Sequence, residues 1–273
     1  MQKAKKESLF NPRVLATDLD GTLIPLPGRQ ENEADLKTLS GLLSEKGREL
    51  IFCTGRHFDS VIEAMGAYRL PVPKWMICGV GSAIYENVNG TFARFAPYDL
   101  HLDDVGAHIE LQSLRELMNA VKGVTLQIEA HQDRFKLSYD CAGAELETVS
   151  ARVESRLKAA ELPFHCMASL DPFHGVGYLD IMPLGVTKAS ALVWLSTHGD
   201  FDPDEVVYAG DSGNDFAALT HGFRAILVGN ATQTLQDRIL AALRENGYED
   251  RLYCAEGHAT TGVLEGCRAL GLV

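Results

Sequence analysis

Two aspartates stand at the end of a short apolar run near the start of the chain. The run Val14–Thr17 leads into Asp18 and Asp20, and it predicts a buried strand that enters a polar loop at Gly21. Because alternate residues of a strand project to the same side, both carboxylates can face one crevice. They would repel each other unless a cation neutralised them, and oxygen ligands beside a phosphate favour Mg²⁺. Taken alone, the pair fits a solvated turn equally well.

Polar residues also follow other predicted strands. Thr54 comes directly after the apolar strand Glu49–Cys53, and its hydroxyl can donate a hydrogen bond to a phosphate oxygen. Lys188 lies at the start of a predicted helix, where an ammonium group and helix amides can converge on an anion. Ligand sites of open parallel sheets lie beyond the carboxyl ends of the strands, so these groups are predicted to share one crevice.

A second acidic segment, Gly210–Asp215, follows the predicted strand Val206–Ala209. If Asp211 and Asp215 straddle a helix start, their carboxylates share one face of that helix. Individual residues of the set have structural alternatives, since a threonine after a strand can cap a helix and a helix lysine can be solvated. The ordered set at successive strand ends nevertheless favours a site that binds both phosphate and a metal ion.

The elements that carry these residues alternate between strand and helix, which predicts an α/β fold with a parallel sheet. Helices are predicted over 33–46, with Gly47 as the C-terminal cap, and over 59–67. Trp75–Cys78 is a third strand, and 82–95 a hairpin that turns at Asn89 and Gly90. After Pro183 the alternation resumes with helices at 187–198, from about 215 and at 231–245, and with strands at 206–209 and 225–228.

A different pattern interrupts this alternation. It is an α-β-β-α-β-β unit with helices at 104–120 and 144–160 and strands at 124–130, 134–139, 164–167 and 177–181. We therefore predict a parallel-sheet, Rossmann-like core formed by residues 9–98 and 183–273. Residues 99–182 would form an inserted α+β cap, with hinges near Tyr98–Asp99 and Met182–Gly185.

The composition excludes several classes of protein. The 273 residues carry a net charge of −12 at pH 7, which argues against nucleic acid or an anionic membrane as the main partner. No apolar run has the length of a signal sequence or a membrane span, so a cytoplasmic location is expected. Six scattered cysteines without metal-ligand spacing are expected to be reduced thiols.

The ordered motifs resemble those of the haloacid-dehalogenase-like (HAD) phosphatases. The segment Asp18–Thr22 is similar to their first motif and Thr54 to their second, while Lys188 and Gly210–Asp215 are similar to the third and fourth. The insertion between the second and third motifs resembles the C2B cap of that class. The resemblance covers nearly the whole chain after about residue 12.

Other segments resemble the sucrose-phosphate phosphatase branch of the class. They are the Asp-Ser-Gly-Asn-Asp form of the fourth motif, Cys78–Tyr85, Phe135–Tyr139, Tyr178–Pro183 and Asn230-Ala231. That branch includes phosphatases for mannosylfructose phosphate and kanosamine phosphate, so the resemblance does not fix the sugar.

The resemblance implies a magnesium-dependent phosphatase that forms an aspartyl-phosphate intermediate. Asp18 would attack the phosphorus atom, and Asp20 would act first as acid and then as base. The residues implied as Mg²⁺ ligands are Asp18, Asp20 through its carbonyl, Asp211 and Asp215, the last in or just outside the coordination shell. Those implied to hold the phosphate oxygens are Thr54, Gly55, Lys188 and Asn214.

Three polar residues of the cap lie on or beside predicted strands and could bind sugar hydroxyls: Gln132, Lys136 and Asp180. Solvated strand faces are the alternative for each of them. Closing the cap would exclude water and strengthen the charged contacts beneath it. The expected substrate is a small-molecule sugar phosphate, with a disaccharide phosphate such as sucrose 6-phosphate as the leading candidate.

Three alternatives remain open from the sequence. The substrate could be another sugar phosphate, such as mannosylfructose phosphate, kanosamine phosphate or a hexose phosphate. The protein could be a hexose phosphomutase, in which a cap arginine binds a second phosphate; the candidates are Arg115, Arg134, Arg152 and Arg156. It could also be a sugar-phosphate-binding domain without catalysis. The oligomeric state is not predicted.

Overall fold

The computed structural model describes residues 10–106, 111–170 and 175–273. In these residues the strands are β1 (Val14–Thr17), β2 (Glu49–Cys53), β3 (Trp75–Cys78), β4 (Ala83–Val88), β5 (Thr91–Arg94), β6 (Thr125–Leu126), β7 (Leu137–Ala142), β8 (Phe164–Leu170), β9 (Val176–Pro183), β10 (Val206–Gly210), β11 (Arg224–Leu227) and β12 (Leu252–Cys254). The helices are α1 (Gln30–Glu45), α2 (Phe58–Tyr68), α3 (Ala96–Val105), α4 (Leu111–Met118), α5 (Leu146–Ala159), α6 (Lys188–Ser196), α7 (Phe216–Thr220), α8 (Gln233–Asn246) and α9 (Thr260–Ala269).

An eight-stranded sheet forms the core of the protein, in the order β12-β11-β10-β1-β2-β3-β4-β5. Strands β1, β2, β3, β10, β11 and β12 pair in parallel, and β4 and β5 form the predicted antiparallel hairpin at one edge. The predicted strands Val14–Thr17, Glu49–Cys53 and Trp75–Cys78 are confirmed to the residue. Strand β1, which ends just before Asp18, and strand β10, which ends just before Asp211, are neighbours at the centre of the sheet.

Helices cover both faces of this sheet, which is why its central strands are apolar without alternation. In β1, Val14 and Ala16 pack into one hydrophobic cluster with residues of α6 and α8. Leu15 packs into the opposite cluster with residues of α1, α2 and α9. The α/β class and the parallel sheet predicted from the sequence are confirmed.

A second, four-stranded antiparallel sheet, β6-β7-β9-β8, forms the inserted part of the chain. Helices α4 and α5 cover one of its faces, where Leu114, Val149 and Val153 pack against Leu137 and Leu179. This is the predicted α-β-β-α-β-β unit. Its other face carries polar residues of β7 and β9 and is turned toward the core.

Three details of the insertion differ from the prediction. The strand predicted over 124–130 is only Thr125–Leu126, and Glu129–His131 form a helical turn instead. Strand β7 begins at Leu137 rather than at residue 134, because Asp133 and Lys136 form a tight turn through reciprocal main-chain hydrogen bonds of 3.1 and 3.2 Å. The hinge predicted near Tyr98–Asp99 lies within α3, a helix that the sequence did not predict. Buried Tyr98 anchors α3 to the core through a 2.7 Å bond to the carbonyl of Gly81. The boundary between the two parts of the chain stays a prediction.

Three other features bear on the predictions. Helix α4 falls within the predicted helix 104–120, and residues 107–110 of that prediction lie outside the described residues. All six cysteines are free thiols, as expected. Within the described ranges, no helix has both the length and the apolar character needed to cross a membrane.

Candidate active site

Lys188 and Asp18 form a buried ion pair at the centre of the carboxyl edge of the core sheet. Asp18 follows β1 and donates its main-chain N–H to the carbonyl of Ala209 at the end of β10. Lys188 is the first residue of α6, and its Nζ donates to Asp18 Oδ1 over 2.8 Å. Lys188 has no exposed surface and Asp18 only 4%. A lysine is buried to this degree only where its charge is paired, so this ammonium belongs to the site.

Asp215 is the second partner of the lysine. Its Oδ1 accepts from Lys188 Nζ over 2.7 Å and from the Tyr208 hydroxyl over 2.6 Å. Its Oδ2 accepts from the main-chain N–H groups of Asp211 and Ser212 over 3.1 and 3.0 Å. Both oxygens of this fully buried carboxylate therefore have partners, and Asp215 ties the loop after β10 to the lysine.

Asp211 directly follows β10, and its carboxylate lies close to that of Asp18. Its Oδ1 accepts from the Thr22 hydroxyl over 3.0 Å, and its Oδ2 from Asn230 Nδ2 over 3.2 Å. Gly21 passes directly beneath it with φ +73°, and a Cβ at Gly21 would lie 2.4 Å from Asp211 Oδ2. Glycine is therefore required there both by the positive φ and by the space that the carboxylate occupies.

The carboxylates of Asp18, Asp211 and Asp215 converge, with a ligand oxygen from each lying within 4.8 Å of the others. Burial raises the pKa of Asp18 well above its ordinary value against the opposing effect of Lys188. Burial and then the charge of Asp215 raise the pKa of Asp211 to about 7. One ammonium does not balance three converging carboxylates, two of them buried, so a divalent cation with a preference for oxygen ligands fits this cluster.

The residues predicted to hold phosphate lie around the same edge. Thr54 is fully buried, and its hydroxyl oxygen accepts from the main-chain N–H of Arg56 over 3.1 Å. A Cβ on Gly55 would lie 3.6 Å from Asn214 Nδ2, so the loop after β2 adjoins the loop after β10. The structure therefore brings together two segments that are about 160 residues apart in the chain and that carry predicted phosphate ligands.

Asp20 points away from this cluster and pairs with Arg56. Arg56 Nε and Nη2 each donate to one Asp20 oxygen over 2.7 Å, and Arg56 Nη1 donates to the Ser60 hydroxyl over 2.8 Å. The Asp20 side chain is 52% exposed, so it faces the crevice rather than the buried carboxylates. No role is predicted for Arg56 from the sequence, although its position directly after Thr54 and Gly55 is a usable signal.

Three further residues of the site were missed or left without a role in the sequence analysis. Tyr208 is a hydroxyl-bearing side chain in an otherwise apolar strand, and that anomaly was the available signal. Thr22 follows the two aspartates after Gly21 and was noted only as part of the first motif. Asn230 donates to the carbonyl of Gly21 over 2.8 Å as well as to Asp211, and accepts from the main-chain N–H of Ala259 over 2.7 Å, so it ties three loops together.

In the insertion, Lys136 and Asp180 form a buried pair on the face that is turned to the core. Lys136 Nζ and the Ser138 hydroxyl donate to the same Asp180 oxygen over 3.0 and 2.6 Å. A Cβ on Gly79 of the core would lie 3.3 Å from Lys136 Cε, so this lysine reaches the core beside the crevice. Ser138 was not among the predicted substrate-binding residues; its alternation with Lys136 along the strand was the signal.

Gln132 behaves differently from the other two predicted cap residues. Its Nε2 donates to the carbonyls of Gln127 and Ser138 over 2.9 and 3.1 Å, and its Oε1 accepts from the main-chain N–H of Ser138 over 2.8 Å. Its amide thus holds the segment between β6 and β7 to the sheet. Its role in substrate binding stays a prediction.

Comparison with known proteins places the chain among phosphatases. The sequence model of the sucrose-6F-phosphate phosphohydrolase family matches residues 11–271. A HAD-like hydrolase of Nitrosococcus oceani is 31% identical over 262 residues, which cover 93% of this chain and 70% of that protein. The mannosylfructose-phosphate phosphatase of Agrobacterium fabrum is 29% identical over 262 residues, covering 95% and 97%.

Solved structures share the fold. The sucrose-phosphatase of Synechocystis sp., determined with sucrose and phosphate, superposes with a TM-score of 0.79 at 23% identity, covering 96% of this chain and 98% of that one. A haloacid dehalogenase-like hydrolase of Bacillus subtilis superposes with a TM-score of 0.63 at 16% identity, covering 96% and 93%. The same core-and-cap arrangement therefore recurs at low sequence identity.

Proposed function

Because the chain belongs to the sucrose-6F-phosphate phosphohydrolase family, a branch of the HAD-like phosphatases, we propose that it hydrolyses the phosphate monoester of a sugar with Asp18 as nucleophile. The observation that carries the proposal is the buried Lys188, whose ammonium is shared by Asp18 and Asp215. Such a lysine opposes the rise in the pKa of Asp18 that burial causes, and so favours the anionic form that attacks phosphorus.

Asp18 has one carboxylate oxygen for attack. Oδ1 is held by Lys188, which orients the carboxylate and leaves Oδ2 to approach the phosphorus atom. The bond from Oδ2 to phosphorus forms as the bond from phosphorus to the sugar oxygen breaks, giving an aspartyl-phosphate and the alkoxide leaving group. Thr54, Gly55, Lys188 and Asn214 would hold the phosphate oxygens during this transfer.

Asp20 would handle the proton. In its acid form it protonates the departing sugar oxygen, and as carboxylate it then accepts a proton from the water that hydrolyses the aspartyl-phosphate. Arg56 holds both Asp20 oxygens in this structure, so Asp20 must exchange this partner for the substrate in each turnover. The 52% exposure of Asp20 leaves room for that exchange.

Mg²⁺ is the cation that the donor set favours, and when bound it would neutralise charge on the phosphate oxygens. Asp18, the main-chain carbonyl of Asp20 and Asp211 would hold it. Both oxygens of Asp215 already have protein partners, which supports a role for Asp215 just outside the coordination shell. Phosphate release should stop after exhaustive chelation and return with Mg²⁺ but not with Ca²⁺, which takes more ligands at longer distances. Equal activation by Ca²⁺ would contradict this assignment.

Lys136, Asp180 and Ser138 are the proposed sugar-binding residues. They are buried, charged or hydroxyl-bearing, and reach the core beside the crevice at Gly79, where the part of the substrate beyond the phosphate would lie. The names of relatives that act on mannosylfructose phosphate or on sucrose phosphate support a disaccharide phosphate, with sucrose 6-phosphate as the first compound to test.

A phosphomutase needs a cap arginine for a second phosphate, and three of the four candidates have other partners. Arg115 pairs with Glu129, Arg134 with Asp103, and Arg152 donates to the carbonyl of Lys122. The test is a panel of phosphorylated mono- and disaccharides, with free phosphate as the readout and a sugar bisphosphate as the mutase arm. Phosphate release from a disaccharide phosphate supports the proposal. An isomerised sugar phosphate without release, or no reaction at all, would overturn it.

A further inference from the structure

Four consecutive residues, Asp133–Lys136, dock the inserted part of the chain onto the core. They form the tight turn that precedes β7, and each side chain reaches a different group. Asp133 contacts Arg94 on the core hairpin, Arg134 contacts Asp103 on α3, and Phe135 packs into a hydrophobic cluster of the core. Lys136 extends to Asp180 beside the crevice. We call this segment the docking turn.

Arg94 is the core residue that holds the docking turn most directly. Its Nη1 and Nη2 donate to Asp133 Oδ2 and Oδ1 over 2.8 and 3.1 Å. Its Nε donates to Asp99 of α3, over 2.8 Å to Oδ2 and 3.0 Å to Oδ1. One guanidinium thus joins an edge strand of the core, helix α3 and the cap, with each carboxylate bound through both oxygens.

The surroundings make this a firm contact rather than a loose surface pair. The Arg94 side chain is 29% exposed, Asp133 19% and Asp99 16%, so solvent screens these charges only in part. The Tyr85 hydroxyl accepts from Arg94 Nη1 over 3.4 Å, and the Tyr85 ring stacks on Phe58 at 4.3 Å between centroids. The arginine therefore has partners in Tyr85 and Asp99 as well as in Asp133 of the docking turn.

Asp133 links Arg94 to Lys136, the proposed sugar-binding lysine, through hydrogen bonds within the docking turn. Its Oδ1 also accepts from the main-chain N–H of Phe135 over 3.3 Å, and its main chain closes the turn with Lys136. We propose that Arg94 is a positioning residue for sugar recognition, because it fixes the docking turn through Asp133 and so sets where Lys136 and Asp180 meet the substrate. This inference rests on the proposed function for its kinetic consequence, but not for the docking contact itself.

The test compares Asp133→Asn, which keeps the shape of the side chain but removes the charge, with Glu86→Gln. Glu86 lies on β4 of the same core hairpin, and its carboxylate pairs with Lys74 of the core over 3.0 Å, so it is a matched control for loss of one carboxylate. For the disaccharide phosphate, Asp133→Asn should raise KM about tenfold or more with kcat within about threefold. Both variants should hydrolyse p-nitrophenyl phosphate at the wild-type rate.

Arg94→Lys provides the conservative variant. The lysine ammonium keeps the charge but cannot bind the carboxylates of Asp99 and Asp133 through two oxygens each. The KM of Arg94→Lys for the disaccharide phosphate should therefore fall between those of the wild type and Arg94→Ala. Equal losses on the disaccharide phosphate and on p-nitrophenyl phosphate would overturn the positioning role, and so would an unchanged KM for Asp133→Asn.

Hydrogen exchange tests the docking contact without any substrate. The amide of Lys136 donates to the Asp133 carbonyl within the turn, and its exchange should accelerate at least about tenfold in Asp133→Asn but not in Glu86→Gln. Unchanged exchange in Asp133→Asn would overturn the docking contact. If exchange accelerates while the wild type hydrolyses no sugar phosphate, the docking contact stands and the proposed function fails.

Discussion

Lys188 and Asp18 are 170 residues apart in the chain, yet Lys188 Nζ lies 2.8 Å from Asp18 Oδ1 with both side chains buried. The pairing depends on two local features of the fold. β1 delivers Asp18 to the carboxyl edge of the sheet, and the Thr187 side chain caps α6 so that the helix begins at Lys188.

Asp18→Asn should lower the turnover number on any phosphate monoester by at least about 10³-fold, or ~4 kcal/mol, because the amide lacks the anionic attacking oxygen. Lys188 keeps Asp215 as a partner, so the fold should survive. The measurement is steady-state phosphate release, with the exposed Asp237→Asn on α8 as control. More than a tenth of wild-type turnover in a folded Asp18→Asn protein would rule out the nucleophile assignment.

Mg²⁺ should stabilise the protein more at pH 8 than at pH 5.5. Burial raises the pKa of Asp211 to about 7, so without metal the folded protein retains a proton that the unfolded chain has already lost. The free energy of unfolding of the metal-free protein therefore falls as pH rises from about 4 to about 7. Above pH 7 the carboxylate is free to bind the cation, whereas at pH 5.5 the cation must displace a proton.

Thermal melts measure this difference. At a Mg²⁺ concentration about 100 times the dissociation constant, the stabilisation at pH 8 is ~2.7 kcal/mol, which raises Tm by about 5 °C or more in a protein of this size. Asp211→Asn is the control, and it should show little response to Mg²⁺ at either pH. A shift of the same size at pH 5.5 and pH 8 in the wild-type protein would contradict the assignment of Asp211 as a ligand.

Gly21→Ala should weaken metal binding at least about tenfold, because its Cβ would lie 2.4 Å from Asp211 Oδ2 and must displace that carboxylate. Gly28→Ala is a matched control, since Gly28 also has a positive φ, +77°, but nothing lies within 4 Å of its Cβ position. Both variants should lose about 1 kcal/mol of stability from the backbone conformation alone. Calorimetric titration with Mg²⁺ distinguishes the two variants. Equal Mg²⁺ affinities would contradict the prediction, because they would show that the new Cβ at position 21 does not displace the Asp211 carboxylate.

Lys136→Ala or Asp180→Ala should lower kcat/KM for the true disaccharide phosphate by ~1–3 kcal/mol, the scale of a lost buried or charge-assisted hydrogen bond. Hydrolysis of a small aryl phosphate, which does not reach the cap, should barely change. Lys122→Ala, at an exposed cap position, serves as control. Equal losses on both substrates would mean that Lys136 and Asp180 support the fold or the closure of the cap rather than sugar recognition.

The sequence by itself determined the class of fold and the order of the chemical groups. Apolar runs such as Val14–Thr17 have the length and composition of doubly covered strands, and β1, β2 and β10 are followed directly by Asp18, Thr54 and Asp211. These are local properties of the chain, so they can be read without knowing what packs against what. The resemblance of the motifs then supplied the roles of residues such as Asp18 and Lys188.

Only the tertiary structure decided which groups meet. Neither Asp20 nor Arg56 has any sequence feature that selects the other, and their pairing arises because the loops after β1 and β2 end side by side. Residues 134–136 of the docking turn were likewise predicted to start a strand, because polar and apolar residues alternate there whether the side chains face a sheet or a second part of the protein. Contacts between distant segments depend on how whole helices and strands pack together, and the local pattern of polar and apolar residues does not specify that packing.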